Sequence, residues 1–410
     1  MRWLLVLVWL LVPSLAFAST ASTAPVERTE IVGIAKTREN TILELLPRRL
    51  PAVLTDADLA ELERRINNLA VFDDVVVERH GPVLRIVVRE KWTLVPSVDF
   101  ASGETLADSY AMLGLTEYNF FGTANQAEVK VSREQRGFGI AGRYEEHVFR
   151  RSRWSFGGDG SFSTARYRFE DGNGWRSTAA QTSVWFTSPP LGNYAQWILA
   201  LEYGRELIDD VQGTTRPPDS HTIRSYMGLT WNQFRWKDLV PRGMRAEVFV
   251  GTGMLVGPEV AQPRHSVESS MTGALPLGST TVLMARVAGA AFTRGNPNFS
   301  ALLGSISGVR GLEDSLYRNW IQAFANVELR QSVRIAKRWA LQGVVFADGA
   351  GFERLTAAGD RGKPLGAFAT GIGARLVPTW LAGIVLRVDA SRLHAPETRW
   401  FYQLGFSQYF

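Results

Sequence analysis

The sequence predicts a mainly β protein: a C-terminal antiparallel transmembrane β-barrel of 16 strands, preceded by one small α+β domain. Three observations support this fold class. The chain opens with an apolar segment typical of exported proteins, it contains no cysteine, and from about residue 93 its apolar and polar residues alternate with a period of two. Such alternation places one face of each strand in lipid and the other in a polar interior.

Residues 1–18 have the pattern of a secretory signal peptide. Arg2 precedes a short apolar run from Trp3 to Val12, and Ala16-Phe17-Ala18 forms a small-x-small cleavage site. An uncleaved N-terminal anchor is the alternative interpretation. No later apolar run is long enough for a membrane-spanning helix, so strands are the elements expected to cross a membrane.

The composition supports export to a membrane. Hydrophobic residues make up 45% of the chain and aromatic residues 11%, with 13 Trp and 22 Phe. A chain without cysteine gains no stability from disulfides, and a barrel surface in lipid would use the aromatic residues. The net charge of +5 is dispersed, and its densest cluster, Arg150-Arg151-Ser152-Arg153, lies between two strand patterns. We therefore expect a solvated turn there and no nucleic-acid binding.

Residues 25–92 predict the α+β domain. Thr37 is placed to cap a first helix, and Thr55 with Asp58 forms a capping-box pattern that opens a second helix. The predicted strands are Ile31–Ile34, Val75–Val77 and Val83–Val88. The resulting order of strand, helix, helix, strand, strand leaves a sheet edge that an extended partner chain could join.

Residues 93–410 predict the barrel, with a first strand near Thr93–Ala101 and a last strand at Trp400–Phe410. Leu386 and Val388 alternate with Arg387 and Asp389, so the charged residues face inward. Short turns are expected at the end next to the α+β domain, near Gly122, Ser152, Pro189, Pro276 and Pro378. The opposite connections include longer ones in residues 209–221, 293–319 and 353–366.

The sixth of these opposite loops, residues 293–319, carries the tip Val309-Arg310-Gly311-Leu312. Strand parity places Glu328 and Asp348 on the inward face of the two strands that follow. These two carboxylates are candidate partners for a guanidinium inside the barrel, and an ordinary solvated loop arginine is the alternative.

Other inward positions form a predicted lumen or gating set. The set is Phe346, Gly371, Gly373, Arg375, Arg387 and Asp389. The two glycines would provide a smooth patch that another backbone can approach closely.

These motifs resemble the BamA/TamA superfamily, whose barrel is described as a bacterial surface antigen domain. Residues 31–34 and the closing "IVVREKWTLVP" look like one POTRA domain, and Val309-Arg310-Gly311 matches the tip of the sixth loop, with Leu312 in place of an aromatic residue. The resemblance implies that this loop folds back into the lumen and that Arg310 pairs with Glu328 and Asp348 as a structural latch. A guanidinium inside a partly dry lumen requires such partners, and bidentate pairing would fix the loop. Phe346-Ala347-Asp348 resembles a Phe-x-Asp-x-Gly motif, with Ala350 in place of the glycine. Trp400, Tyr402, Phe406 and Phe410 resemble the C-terminal signal for barrel assembly.

The resemblance implies a function in the assembly or insertion of outer-membrane proteins, or in polypeptide translocation. The POTRA domain would lie in the periplasm of a Gram-negative cell and bind unfolded polypeptide by strand pairing, and a seam between first and last strands would open. Outer-membrane lipid and lipopolysaccharide are the other expected partners, and a periplasmic partner protein is left open. The alternatives are a dedicated secretion pore for one passenger, for which the segment before the domain is too short to form a plug helix, and a passive pore.

No catalytic or cofactor pattern is predicted, and we expect no enzyme, no cofactor and no metal site. The five histidines are scattered without metal-ligand spacing. Gly137, Gly139 and Gly142 spell G-x-G-x-x-G, but no βαβ pattern surrounds them, so they do not predict a nucleotide site.

Overall fold

A computed structural model describes residues 24–69, 71–102, 109–134, 137–149, 154–169, 172–191, 194–237, 239–258, 261–294, 300–304, 308–312, 318–380 and 385–405. The predicted signal peptide, and Phe406 and Phe410 of the predicted assembly signal, lie outside the described residues. Within the described ranges, no helix combines the length and apolar character needed to cross a bilayer.

The N-terminal part is an α+β module with the predicted element order. Its elements are β1 (Arg28–Val32), α1 (Glu39–Leu43), α2 (Asp56–Asn68), β2 (Phe72–His80) and β3 (Val83–Glu90). The sheet order is β1-β3-β2, with β1 parallel to β3 and β2 antiparallel to it. Both helices pack on one face of this sheet, around a core that includes Ile42, Leu62, Ile66, Leu84 and Ile86, all fully buried.

The two helix starts differ from each other. At α2, Thr55 and Asp58 form the predicted capping box, in which each side chain accepts the other residue's backbone N–H. At α1 the predicted cap is wrong: Arg38 is the N-cap and no side chain caps the helix. Thr37 is instead used in a contact outside the module, where its hydroxyl accepts a hydrogen bond from Asn119.

The C-terminal part is a closed antiparallel barrel of 16 long strands. The long strands are β4 (Leu94–Ala101), β5 (Tyr110–Phe120), β6 (Asn125–Glu134), β7 (Gly137–Phe149), β8 (Trp154–Arg168), β9 (Gly174–Thr187), β10 (Ala195–Gln212), β11 (Ser220–Asn232), β13 (Val240–Val256), β14 (Ala261–Pro276), β15 (Thr281–Phe292), β17 (Arg318–Ala336), β18 (Trp339–Leu355), β19 (Arg361–Pro378), β20 (Leu386–Ala395) and β21 (Arg399–Gly405). Two short strands, β12 (Arg235–Lys237) and β16 (Ala301–Leu302), pair with their neighbours β13 and β17.

The barrel wall has the predicted two faces. Along β17, Ile321, Val327 and Leu329 are exposed on the outer surface, whereas Gln322 and Glu328 are buried on the inner one. Apolar side chains cover the outside of most strands in the same way. An outward apolar belt around a polar interior is the arrangement that a bilayer requires of a barrel.

The connections alternate between the two ends of the barrel. At the end next to the α+β module, called the module end below, β17 and β18 are joined by Lys337 and Arg338 alone. At the other end, the connection of residues 293–317 separates the eleventh long strand, β15, from the twelfth, β17. The prediction of a long loop in residues 353–366 is wrong, because β18 continues to Leu355 and β19 begins at Arg361. The pairing of β18 with β19 continues as far as Leu355 and Arg361, so only residues 356–360 form the connection.

The module is joined to the barrel through the turn between β5 and β6. The backbone N–H of Arg38 donates to the Gly122 carbonyl at 2.8 Å, and the Asn119 amide donates to the Thr37 hydroxyl at 2.9 Å. Ala124 of the same turn is fully buried in the module's hydrophobic core. One barrel turn therefore completes the module's core and holds the module across the module end.

Candidate functional site

The tip of the loop between β15 and β17 is a tight turn. The backbone N–H groups of Gly308 and Val309 both donate to the Gly304 carbonyl, at 2.9 and 3.1 Å. Gly311 has a φ of +100°, a conformation that glycine adopts without the steric cost of a Cβ. Arg310 lies in the following turn, which a hydrogen bond from the Leu312 N–H to the Val309 carbonyl closes at 3.1 Å, and its side chain extends to the barrel wall.

Apolar side chains on both sides of Arg310 anchor the tip. Val309 and Leu312 are fully buried in a cluster with Leu303, Phe352 and Leu393, which lie on the loop and on the inner barrel wall. Leu312 occupies the position at which the resemblance implies an aromatic residue, and it is 0% exposed. The aliphatic side chain thus fills its place in this cluster, and the tip is excluded from water.

Arg310 is completely buried between two carboxylates of the inner wall. Its Nε and Nη2 donate to the two oxygens of Asp348, both at 2.7 Å, and its Nη1 donates to Glu328 Oε1 at 2.6 Å. Its backbone N–H also donates to Asp348, at 3.1 Å. The pairing with Asp348 is the bidentate geometry that distinguishes arginine from lysine.

Phe346 and Gly371 form the floor beneath this guanidinium. The centre of the guanidinium lies 3.4 Å from the centroid of the Phe346 ring, in a cation–π stack. A Cβ at Gly371 would lie 2.3 Å from that ring and 2.3 Å from the Ala390 carbonyl oxygen. Position 371 therefore accepts glycine alone without displacing the ring that supports Arg310.

The latch belongs to a larger buried ion network on β17 to β20. Arg330 donates to Glu328 at 2.7 Å, and Arg375 donates to Asp389 at 2.5 Å. Glycine is required at position 373 for the Arg375–Asp389 pair to fit, since a Cβ there would lie 2.0 Å from Asp389 Oδ1. Charges taken out of water are stable only when opposite charges and hydrogen bonds surround them, and each of these groups has them.

The network reaches the seam where the last strand meets the first. Arg387 on β20 lies 3.7 Å from Asp389 and 3.6 Å from Asp99 on β4. At the seam itself, the described residues of β21 and β4 pair at Gln403 with Ala101 and at Leu404 with Phe100. The lumen charges and the seam are therefore parts of one connected structure.

Most of the residues singled out in the sequence lie together in this network. Trp400 and Tyr402 do not: they are 61% and 57% exposed on the outer face of β21, where lipid would contact them. Sequence reasoning missed Asn326 as a partner, although it lies on the predicted inward face and donates to both Asp348 and the Gly308 carbonyl. It also missed Arg399, whose Nη2 donates to the Gly311 carbonyl at 2.9 Å and for which no local signal exists.

A second candidate site lies at the module end. A cleft of about 1180 Å³ separates the module from the barrel rim. The first residues of the edge strand β2, from Phe72 to Val75, line the module side. The barrel side is lined by Arg334, near the end of β17, and by Lys337 and Arg338 of the β17–β18 connection. An extended chain entering this cleft would meet an open sheet edge beside the barrel mouth.

Comparisons with solved structures agree on the fold. The chain is similar to BamA from Haemophilus ducreyi lacking POTRA domains 1–3, at 14% identity and a TM-score of 0.56, covering 95% of this chain and 85% of that one. It is also similar to CdiB from Acinetobacter baumannii, at 12% identity and a TM-score of 0.60, covering 93% of this chain and 73% of that one. A third similar structure is CdiB from Escherichia coli, at 13% identity and a TM-score of 0.62, covering 93% of this chain and 76% of that one. No protein-family model and no curated protein sequence matches the chain. The chain thus has the 16-stranded barrel fold of BamA and CdiB, as the sequence resemblance predicts.

Proposed function

We propose that this protein is a non-enzymatic outer-membrane factor that inserts polypeptides into the membrane or translocates them across it. The α+β module acts as a single POTRA domain in the periplasm. The observation that carries the proposal is the edge strand β2 bordering a cleft of about 1180 Å³ at the mouth of a barrel with the BamA and CdiB fold.

The mechanism follows from backbone hydrogen bonding. An unfolded polypeptide carries unpaired N–H and C=O groups, and pairing with the exposed edge of β2 satisfies them without reading a particular sequence. The cleft then delivers the extended segment to the module end of the barrel. Opening of the seam between β21 and β4 would expose two further strand edges, on which the segment could pair before it enters the lipid. No covalent step and no cofactor is required.

The experiment uses the absence of cysteine from the natural chain. The double variant Phe100→Cys/Leu404→Cys places two thiols on directly opposed residues across the seam, within reach of a disulfide. The oxidised protein has a locked seam, and the reduced form of the same protein is its matched control. Both are reconstituted in liposomes and supplied with unfolded barrel proteins, whose folding is measured from their heat-modifiable bands.

We expect the reduced protein to accelerate folding and the oxidised protein to lose that acceleration. A variant lacking residues 25–90 should lose it as well, because the receiving edge strand is absent. If neither form accelerates folding of any substrate, while both remain folded, the proposal fails. A passive pore would then be indicated by ion conductance, and a secretion pore by export of one specific passenger.

A further inference from the structure

We propose that Asp99 and Arg387 form a clasp that closes the barrel seam, and that the Arg310 latch controls this clasp through Asp389. Seating of the loop and closure of the seam then depend on each other. The role of the clasp in admitting polypeptide rests on the proposed function. The geometry of the clasp and the experiment that tests it involve no polypeptide substrate.

The clasp joins two strands that are not neighbours. Asp99 lies on β4 and Arg387 on β20, and β21 runs between them. Their side chains nevertheless approach to 3.6 Å, from Arg387 Nη2 to Asp99 Oδ1, on the inner face of the barrel. An ion pair that passes over β21 ties the first strand to the body of the barrel independently of the seam's own backbone hydrogen bonds.

Gly405 of β21 is the residue over which the pair passes. It is directly opposite Arg387 in the register of β20 and β21. A Cβ at this position would lie 2.2 Å from Asp99 Oδ1 and 2.9 Å from Arg387 Nη2. Any larger residue would push the two charged groups apart, so the space for the clasp exists because position 405 is glycine.

Asp389 connects the clasp to the latch. Its carboxylate lies 3.7 Å from Arg387, 2.5 Å from Arg375 and 3.8 Å from Arg310. The three distances place a single carboxylate, itself 1% exposed, among three guanidinium groups. A change in any one of the three alters the electrostatic balance for the others, because buried charges are weakly screened.

The direction of the coupling follows from counting charges. With the loop seated, the carboxylates of Asp99, Glu328, Asp348 and Asp389 face the guanidinium groups of Arg310, Arg330, Arg375 and Arg387. When Arg310 leaves with the loop, four carboxylates share three guanidinium groups. Asp389 then loses the guanidinium of Arg310 that lay 3.8 Å away, and it draws Arg387, at 3.7 Å, away from Asp99. Release of the loop therefore weakens the clasp.

Hydrogen exchange of the backbone amides of β4 and β21 measures how often the seam opens. We expect Asp99→Asn and Gly405→Ala to speed this exchange at least about fivefold, the smallest effect typical of coupled sites. Arg310→Met should speed it similarly, although Arg310 touches neither strand. The oxidised Phe100→Cys/Leu404→Cys protein should exchange slowly at the seam with or without these substitutions. Glu202→Gln, which breaks an ion pair with Arg224 on another part of the wall, serves as the control and should leave the seam unchanged.

Two results would overturn the inference separately. Unchanged seam exchange in both Asp99→Asn and Gly405→Ala refutes the clasp. Faster exchange in these two variants, with no effect of Arg310→Met at the seam, refutes the coupling. If Arg310→Met does not fold, the reciprocal measurement decides, since Gly405→Ala must then speed exchange at Gly308–Leu312 by a similar factor. If the unsubstituted protein shows no assembly activity while seam exchange responds to the substitutions as expected, the proposed function fails and the clasp stands.

Discussion

Replacing Arg310 with alanine removes the guanidinium that neutralises a carboxylate inside the barrel. The side chain of Arg310 is 0% exposed and donates to Asp348 through Nε and Nη2 and to Glu328 through Nη1. As long as the loop tip stays buried, water does not reach these carboxylates freely, so the lost hydrogen bonds are replaced only when the loop opens. The substitution therefore tests the latch at its most sensitive point.

Glu328 and Asp348 do not lose the same amount of charge compensation when Arg310 is removed. Glu328 keeps Arg330, at 2.6 Å, and remains compensated. Asp348 keeps the neutral amide of Asn326, at 2.9 Å, but loses the guanidinium that contacts both of its oxygens. Breaking a buried ion pair by removing one partner costs about 3–5 kcal/mol. We expect Arg310→Ala to lower the free energy of unfolding of the barrel by about that amount, and to expose the loop to protease.

The assay is urea unfolding of the reconstituted barrel, followed by tryptophan fluorescence, for Arg310→Ala, Asp348→Ala and the double variant. Because the double variant leaves no uncompensated charge, its cost should be below the sum of the single costs by about 1–3 kcal/mol. Arg361→Ala, which breaks an ion pair with Glu353 in which the arginine side chain is 60% exposed, should change stability little. Additivity of the two single costs, together with an intact loop in Arg310→Ala, would refute the latch.

Two further outcomes concern the module. Asn119→Ala removes the 2.9 Å hydrogen bond to Thr37 that joins the module to the barrel. Protease cleavage at the junction should increase, whereas the barrel should remain heat-stable. Unchanged cleavage would show that the turn does not hold the module. In α2, burial raises the pKa of Glu61, but hydrogen bonds from Arg64 and Arg65 outweigh it and lower the pKa. The resulting stability is present above the unfolded pKa of about 4.3 and is lost as the pH falls through the lower folded value. Hydrogen exchange of α2, corrected for its intrinsic pH dependence, should therefore accelerate in acid. Glu61→Gln should abolish this acceleration. The same acceleration in Glu61→Gln would contradict the role of Glu61.

Local patterns determined much of the architecture. The period of two assigned Glu328 and Asp348 to the inner wall, because successive side chains of a strand point to opposite faces whatever the strand pairs with. The capping box at Thr55 was readable for a similar reason, since its hydrogen bonds span three residues. Arg330 shares the inward face of Glu328, two residues away, so the same parity contains this partner as well.

Only the tertiary structure decided which of these inward groups meet. The seam joins Ser102 to Tyr402, which are separated by 300 residues, so its register depends on the pairings of all the strands between them. The contact of Asp99 with Arg387 over Gly405, and the burial of Ala124 in the module's core, arise from this closure and from module docking. Thr37 illustrates the limit: the sequence favoured a helix cap, but a neighbouring turn supplied a hydrogen-bond partner that no local pattern contains. A local period specifies the direction of a side chain, whereas the closure of the barrel determines its neighbours.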